Sequence, residues 1–344
     1  MNHSKRFAVF AVLVFWVGLV FAEEPKTNGY KVLRKAHLDG DGGWDCLAVD
    51  SDARRVYVTH DKRVEVLDAD SLKKVGAIEG TQRAHGVVLV PEFNEGFVTS
   101  GEDGKVLVFD LKTLKVTRKL DAQKDADAMA YDPVTKRVFS FNGDSGNATV
   151  IDAATGKVIE TLDLGGQPEF AVADGQGYLF DNLEDKSEVL KINAKTLKIE
   201  KRWPLAPGEK PSGMAMDVEH RRLFIGCRNK MTVVMNANNG KVVKTLPIDD
   251  HVDGTAFDPE SQTVFNSCGD GTLSVIHEDS PSRYRVVENA LTEPGARTLA
   301  LDAETGHVFS ATAKMEPQPT PTKDNPKPRR KIVPGTFEVL EIGN

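Results

Sequence analysis

The chain has 344 residues, with 44 Lys and Arg against 51 Asp and Glu and a net charge of −7. That acidic balance argues against nucleic acid as the main partner, because such binding rests on neutralising phosphates with Lys and Arg. Three cysteines are an odd count for a disulfide framework, and the absence of CxxCH, P-loop, GxGxxG-plus-helix and HExxH patterns excludes covalent haem and the best-marked nucleotide and zinc-protease sites.

The chain opens with Lys5 and Arg6, an apolar run from Phe7 to Phe21, small Ala22 and polar Glu23-Glu24-Pro25. This is the layout of a cleaved signal peptide, residues 1–22. The run is short for a membrane span, which needs about 20 residues, and no other stretch is apolar enough to cross. The mature chain, 23–344, is therefore expected to be periplasmic or secreted. Losing Lys5 and Arg6 takes its net charge from −7 to −9. No cysteine near the cut offers a lipid anchor.

From residue 45 onward one pattern recurs. A short apolar strand usually ends in Asp, a turn follows, and a second strand rich in Val and aromatics comes next. The residue closing the first strand falls at Asp50, Val90, Asp132, Asp174, Asp217, Asp258 and Asp302, spacings of 40 to 44 residues. That is the period of a four-stranded propeller blade. Third strands end in Asp68, Asp110, Asp152, Asn193 or Asn236, side chains that fix a turn by bonding backbone two residues on. Blade 6 departs, with His277 there and Pro281 beyond. The prediction is an all-β, seven-bladed propeller with four-stranded antiparallel blades in one domain.

The seventh repeat runs out of chain one strand short, and Tyr30–Leu38 precedes the first repeat with no blade of its own. The N-terminal strand is expected to complete blade 7 and close the ring, covering an open strand edge. Residues 313–334 are a Pro-rich insertion after the second strand of blade 7, ending in the basic run Lys327-Pro328-Arg329-Arg330-Lys331. A long loop without structure of its own is expected there, as a lid, a docking tail or a solvated loop.

Tyr57-Val58-Thr59-His60 is close to a YVTN signature. Arg54-Arg55-Val56-Tyr57-Val58, Val64-Glu65-Val66-Leu67-Asp68 and Thr155-Gly156-Lys157 match the grammar of such blades. Gly42-Gly43-Trp44-Asp45 and Val333–Leu340 fit as well. The chain thus resembles the YncE-like, YVTN-repeat propellers over essentially its whole mature length. The resemblance implies an exported bacterial or archaeal propeller, and it does not supply a ligand.

In a propeller, connections into the innermost strands and those after the second strands share one face. The residues just before the innermost strands are Asp45, His85, Asp127, Glu169, Ser212, Asp253 and Arg297, and they should ring the channel mouth. His60, Ser100, Asn142, Asn182, Cys227, Cys268 and Thr312 should lie farther out, and His251 and Trp44 also precede inner strands. Convergent carboxylates call for a positive partner. Ca2+ suits oxygen ligands, His60, His85 or His251 would help a transition metal, and an organic cation also fits. The alternative is that these groups cap strands or hold waters.

Asp39–Gly43 looks like the start of a calcium loop, but Trp44 stands where the turn needs Gly. Gly143-Asp144-Ser145-Gly146 lacks companion His and Asp and reads as a turn. The cysteines read as buried packing, with a bridge between Cys227 and Cys268 in adjacent blades as the alternative. The sequence therefore points to a monomeric binding or scaffold protein that takes a small ligand or protein partner on the mouth face, with no assigned catalytic residue. The alternative is a metal-dependent hydrolase or lyase of the lactonase type, and a weaker third reading is a partner subunit of a redox enzyme.

Overall fold

The computed structural model describes residues 29–323, 328 and 330–344. The expected signal peptide, residues 23–28 and, in the insertion, 324–327 and 329 lie outside the described residues. Within them, 28 strands, β1 to β28 in chain order, form seven four-stranded antiparallel sheets. The innermost strands pack on one another in sequence, from β2 (Trp44–Asp50) through β6 (Ala84–Val90), β10 (Ala126–Asp132), β14 (Pro168–Ala173), β18 (Pro211–Asp217) and β22 (Val252–Asp258) to β26 (Leu299–Leu301). The last of these returns to β2. This is the seven-bladed ring that the repeat predicts.

A blade cannot bury both faces alone, and the second strands show how neighbours do it. Their third residue is Tyr57, Phe97, Phe139, Phe180, Phe224 or Phe265, and in the shorter strand of blade 7 the second is Phe309, each no more than 1% exposed. Alternation along a strand sends the flanking residues to the opposite face. Phe139 and Phe141 of blade 3, for example, share one apolar cluster with Leu179, Leu183 and Leu190 of blade 4. Each fully buried ring contributes about 2–3 kcal/mol relative to exposure.

Ion pairs add to this on the lower face, where first and second strands are joined. Arg54 reaches Asp302 of blade 7 at 2.7 Å, and Arg221 reaches Asp174 of blade 4 at 2.8 Å. The Asp that closes the first strand is thus both a turn former and a blade-to-blade anchor.

Closure follows the sequence expectation. β1 (Lys31–His37) pairs antiparallel with β28 (Glu338–Gly343), which pairs with β27 (Val308–Thr312), which pairs with β26. Tyr30 packs edge-on against Phe265 at 5.2 Å, and its N–H donates to Glu288 at 2.8 Å.

The root of the insertion is more ordered than the sequence suggests. It leaves β27 as a continuing hairpin, with Met315 bridged to Ile332. Glu316 N–H donates to the Lys331 carbonyl and Val333 N–H to that of Lys314, each at 2.8 Å. Extending the ladder satisfies backbone groups that a free loop would leave to water.

Blade 6 departs in structure as in sequence, because its outer strands β24 (Thr272–Ser280) and β25 (Arg283–Leu291) run to nine residues each. No described helix is long and apolar enough to cross a membrane.

Candidate functional site

The upper face carries the residues expected at the channel mouth, and a backbone device aims them. Each of the first six innermost strands opens with an irregularity in its pairing to the second strand. The shifts lie between Trp44 and Leu47, Ala84 and Val87, Ala126 and Met129, Pro168 and Ala171, Pro211 and Met214, and Val252 and Gly254. Asp45, His85, Asp127, Glu169, Ser212 and Asp253 occupy these bulges. A bulge bends its strand and frees a side chain from strict alternation. The blades nearly touch here: a Cβ on Gly86 would sit 2.4 Å from the Asp127 carbonyl oxygen, and one on Gly213 would sit 2.6 Å from Thr255 N.

The freed side chains meet across blade boundaries. His85 Nδ1 donates to Asp45 Oδ2 at 2.6 Å and lies 3.4 Å from Asp127 Oδ1. Arg297 Nε donates to Asp253 Oδ2 at 2.8 Å, and its Nη2 lies 3.7 Å from Asp45 Oδ1. That nitrogen also donates to the Trp44 carbonyl at 3.0 Å, and the guanidinium lies 5.6 Å from the centre of the Trp44 ring. Ser212 Oγ donates to Asp253 Oδ1 at 2.6 Å. Six of the seven predicted mouth residues therefore form one chain, from Asp127 through His85, Asp45, Arg297 and Asp253 to Ser212. Glu169 joins it through charge, since Asp127 and Asp253 both act on its carboxyl.

The electrostatics split the crown. Burial first, then the Asp45 charge, push the Asp127 carboxyl up to about 7. Burial, Asp127 and Asp253 hold Glu169 well above the carboxylate range. Burial alone would also raise Asp45, but the His85 hydrogen bond and Arg297 bring it below its ordinary value. His85 is likewise opposed by burial and is raised by its bond to Asp45 and by Asp127. One side of the mouth thus holds carboxyls whose protons are retained to higher pH, while the other holds ion pairs.

The sign for stability follows from the raised carboxyls and the raised imidazole. Their protonated forms are favoured in the folded ring, so stability is fully present in mild acid and is lost as pH rises through the folded values. For Asp127 the window runs from about 4 to about 7. Asp45 acts the other way, but only as acid protonates it. Replacing Asp127 by Asn removes one titration. The side chain keeps 28% exposure, so solvent tempers the gain to about 1–2 kcal/mol at pH 8. Denaturant melts of both proteins at pH 5 and pH 8 measure this, and a variant no more stable than wild type at pH 8 would contradict it.

Not every predicted residue joins the crown. His60 is 2% exposed, stacks on Phe337 at 4.0 Å and lies 3.7 Å from Glu65, so it belongs to the packing between blades 1 and 7. His251 stands on the rim with its side chain 75% exposed. Outer-ring side chains are taken up by local bonds: Asn182 Nδ2 donates to the Ser212 carbonyl at 2.8 Å, Thr312 Oγ1 to that of Pro294 at 2.7 Å, and Asn142 Nδ2 to Asn147 Oδ1 at 2.8 Å. Cys46, Cys227 and Cys268 are buried and unpaired, and burial pushes the Cys227 and Cys268 thiols up to about 12. Arg228 is an addition that the sequence reading missed. Its guanidinium lies 3.5 Å from Asp253 and 3.6 Å from Glu184. Its place right after a second strand, on the mouth face, was the available signal.

Three clefts share Arg297. One of about 280 Å³ runs over Trp44, Asp45 and His85 to Met315 and Ile332 of the blade 7 hairpin. One of about 830 Å³ lies between blades 6 and 7, walled by Pro294, Ala313, Met315 and Arg330. One of about 400 Å³ is lined by Lys210, Arg228, His251, Asp253 and Arg297. The described part of the insertion is thus a wall beside the crown.

Fold and geometry define the class: a seven-bladed β-propeller with a polarised, charged channel mouth. Residues 52–205 match the family model described as a domain of unknown function (DUF5074). The chain is similar over 97% of its length to 98% of a chain from a crystal structure of a mitotic checkpoint complex, with a TM-score of 0.73 and 16% identity. It is similar over 80% of its length to 94% of a chain of Kuenenia stuttgartiensis hydrazine synthase, with a TM-score of 0.70 and 12% identity. At these identities the likeness is one of fold. No curated protein matches the sequence significantly.

Proposed function

We propose that this is an exported binding propeller of the YncE-like type, acting as a monomer and taking a small polar ligand with an anionic group at the channel mouth. The observation that carries the reading is Arg297. It is oriented by Asp253, Asp45 and Trp44, and all three clefts open onto it. Lys210, Arg228 and His251 add an arc of positive or protonatable groups on one side. Asp127 and Glu169 on the other side favour a cationic or hydrogen-bond-donating end. Apolar walls with a few convergent polar groups are the usual make-up of a ligand site.

Trp44 makes the reading testable, because it stacks under Arg297 and lines the smallest cleft. Glutamate and citrate at millimolar concentration are expected to change its fluorescence, and Arg297→Met to abolish the response. The variant should lose about 1–3 kcal/mol of stability, between the figures for exposed and buried pairs, since Asp45 and Asp253 lose their cation. No response to either probe, together with a native mass spectrum showing only bare protein from the source organism, would refute the reading. Cell fractionation tests export.

The Asp45, His85 and Asp127 donor atoms lie within 4.8 Å of one another. This favours a second reading, a divalent cation at the mouth supporting hydrolysis or lyase chemistry. Lactone hydrolysis stimulated by Ca2+, Mn2+ or Zn2+ and lost in Asp127→Asn would select it.

A further inference from the structure

The lower face carries a second cluster, between blades 5 and 6 and away from the crown. Where the third strand turns into the fourth, the repeat places a small or apolar buried residue: Ala69, Leu111, Ala153, Ala194 and Ala237. Each donates its N–H to the turn between the first two strands of its own blade, as Ala153 does to Lys136 and Ala237 to Arg221. In blade 6 the residue making that same bond, to Gln262, is Glu278. It is 3% exposed, and its Oε2 has no hydrogen-bond partner. Leaving a carboxylate oxygen buried and unsatisfied is costly, so a charged group at an alanine position needs an explanation.

The groups that Glu278 faces supply one. His220 Nδ1 lies 3.6 Å from Glu278 Oε1 and 2.7 Å from Asp217 Oδ2. The corresponding turn positions of blades 3, 6 and 7 hold Thr135, Ser261 and Thr305, whose hydroxyls bond the Asp that closes the first strand. Blade 5 has an imidazole there instead. Two adjacent blades therefore depart from the repeat at the two places that face each other. One nitrogen and two carboxylate donors lie within 4.8 Å.

We propose that Asp217, His220 and Glu278 bind a divalent transition cation of the zinc class and clamp blade 5 to blade 6. With bonds of about 2.0–2.1 Å, the edge of a tetrahedral site is about 3.3–3.4 Å long. The His220–Glu278 separation is close to that edge, and the 2.7 Å Asp217–His220 pair would open by about 0.6–0.7 Å to share a cation. His220 keeps 32% of its side chain exposed, which leaves water access to the fourth position. The mixed N and O donor set suits Zn2+ or Mn2+ better than Ca2+, which takes six or more oxygens. Arg222 bonds the carbonyls of Pro281, His220 and Arg221 and reaches Glu278 only through its charge, while Tyr284 donates to the Pro281 carbonyl at 2.9 Å and at 3.5 Å, a long contact, to Glu278 Oε1. A cation at Glu278 therefore competes with one long hydroxyl contact on Oε1, while Oε2 has no partner.

The test uses the full chain after chelation, titrated calorimetrically with Zn2+, Mn2+ and Ca2+ and melted with and without each ion. Zn2+ is expected to bind and raise the melting temperature. Glu278→Ala should remove one Zn2+ equivalent, or weaken it about a hundredfold or more, and abolish that part of the thermal shift. Without metal this variant should melt at or above wild type, because alanine is the residue of blades 1, 3, 4 and 5 at that place. His220→Ser, which copies the Ser261 turn of blade 6, should lose the same Zn2+ equivalent while keeping the turn. Asp127→Asn should leave it untouched, which separates this site from the mouth. Failure of every cation to bind wild type, or the same stoichiometry in wild type and both lower-face variants, would overturn the proposal.

Discussion

Deletion of residues 29–38 is expected to lower the melting temperature by about 10 °C or more, or to leave the protein insoluble. The segment contributes the outer strand of blade 7 and joins two clusters of the core. Leu38 and Ala36 pack with Phe337 and Val339, and Tyr30 and Val32 pack with Phe265 and Ile342. Four apolar side chains at about 1–3 kcal/mol each approach the whole net stability of a domain, about 5–15 kcal/mol. Ladder bonds along Lys31–His37 are lost as well, and the bared edge of β28 becomes a template for aggregation. Supplying residues 29–38 as a peptide should restore much of the melt, since an added strand satisfies the same edge. A deletion variant that melts like the full chain would show that the ring does not depend on its N-terminal strand.

The second large effect is a gain. Replacing Asp181 by Val is expected to stabilise the protein by about 2–4 kcal/mol at pH 8. Asp181 lies on the second strand of blade 4, fully buried, with no partner for either carboxylate oxygen. Burial alone holds its carboxyl well above the usual range. Equivalent places in blades 1 and 2 are Val58 and Val98, both buried, so a valine fits the pleat and the available volume. The raised folded value fixes the sign. Wild type escapes the ionisation penalty below the unfolded value near 4, and the penalty grows as pH rises toward the folded value. The gain from Asp181→Val should therefore be larger at pH 8 than at pH 4. Denaturant unfolding at the two pH values measures it, and a gain that ignores pH, or a loss, would show that Asp181 has an unseen partner.

Much of this molecule is legible along the chain because a propeller is built from local pieces. The forty-odd-residue period, the aromatic near the start of each second strand and the Asp–Lys turns are short-range patterns, and they determine strand count, blade count and the need for a closing strand. The same periodicity placed Asp45, His85, Asp127, Ser212, Asp253 and Arg297 on one face. Tertiary structure alone decided what those residues became. Bulges at the starts of the inner strands turned them toward one another, and contact across blades divided them into ion pairs on one side and proton-holding carboxyls on the other. It also removed His60 from the mouth, drew in Arg228 and ordered the root of the insertion. The physical reason is range. Pleat and turn chemistry act over a few residues, whereas a carboxyl's protonation and a side chain's partners depend on groups brought within about 4 Å from positions 40 to 250 residues away.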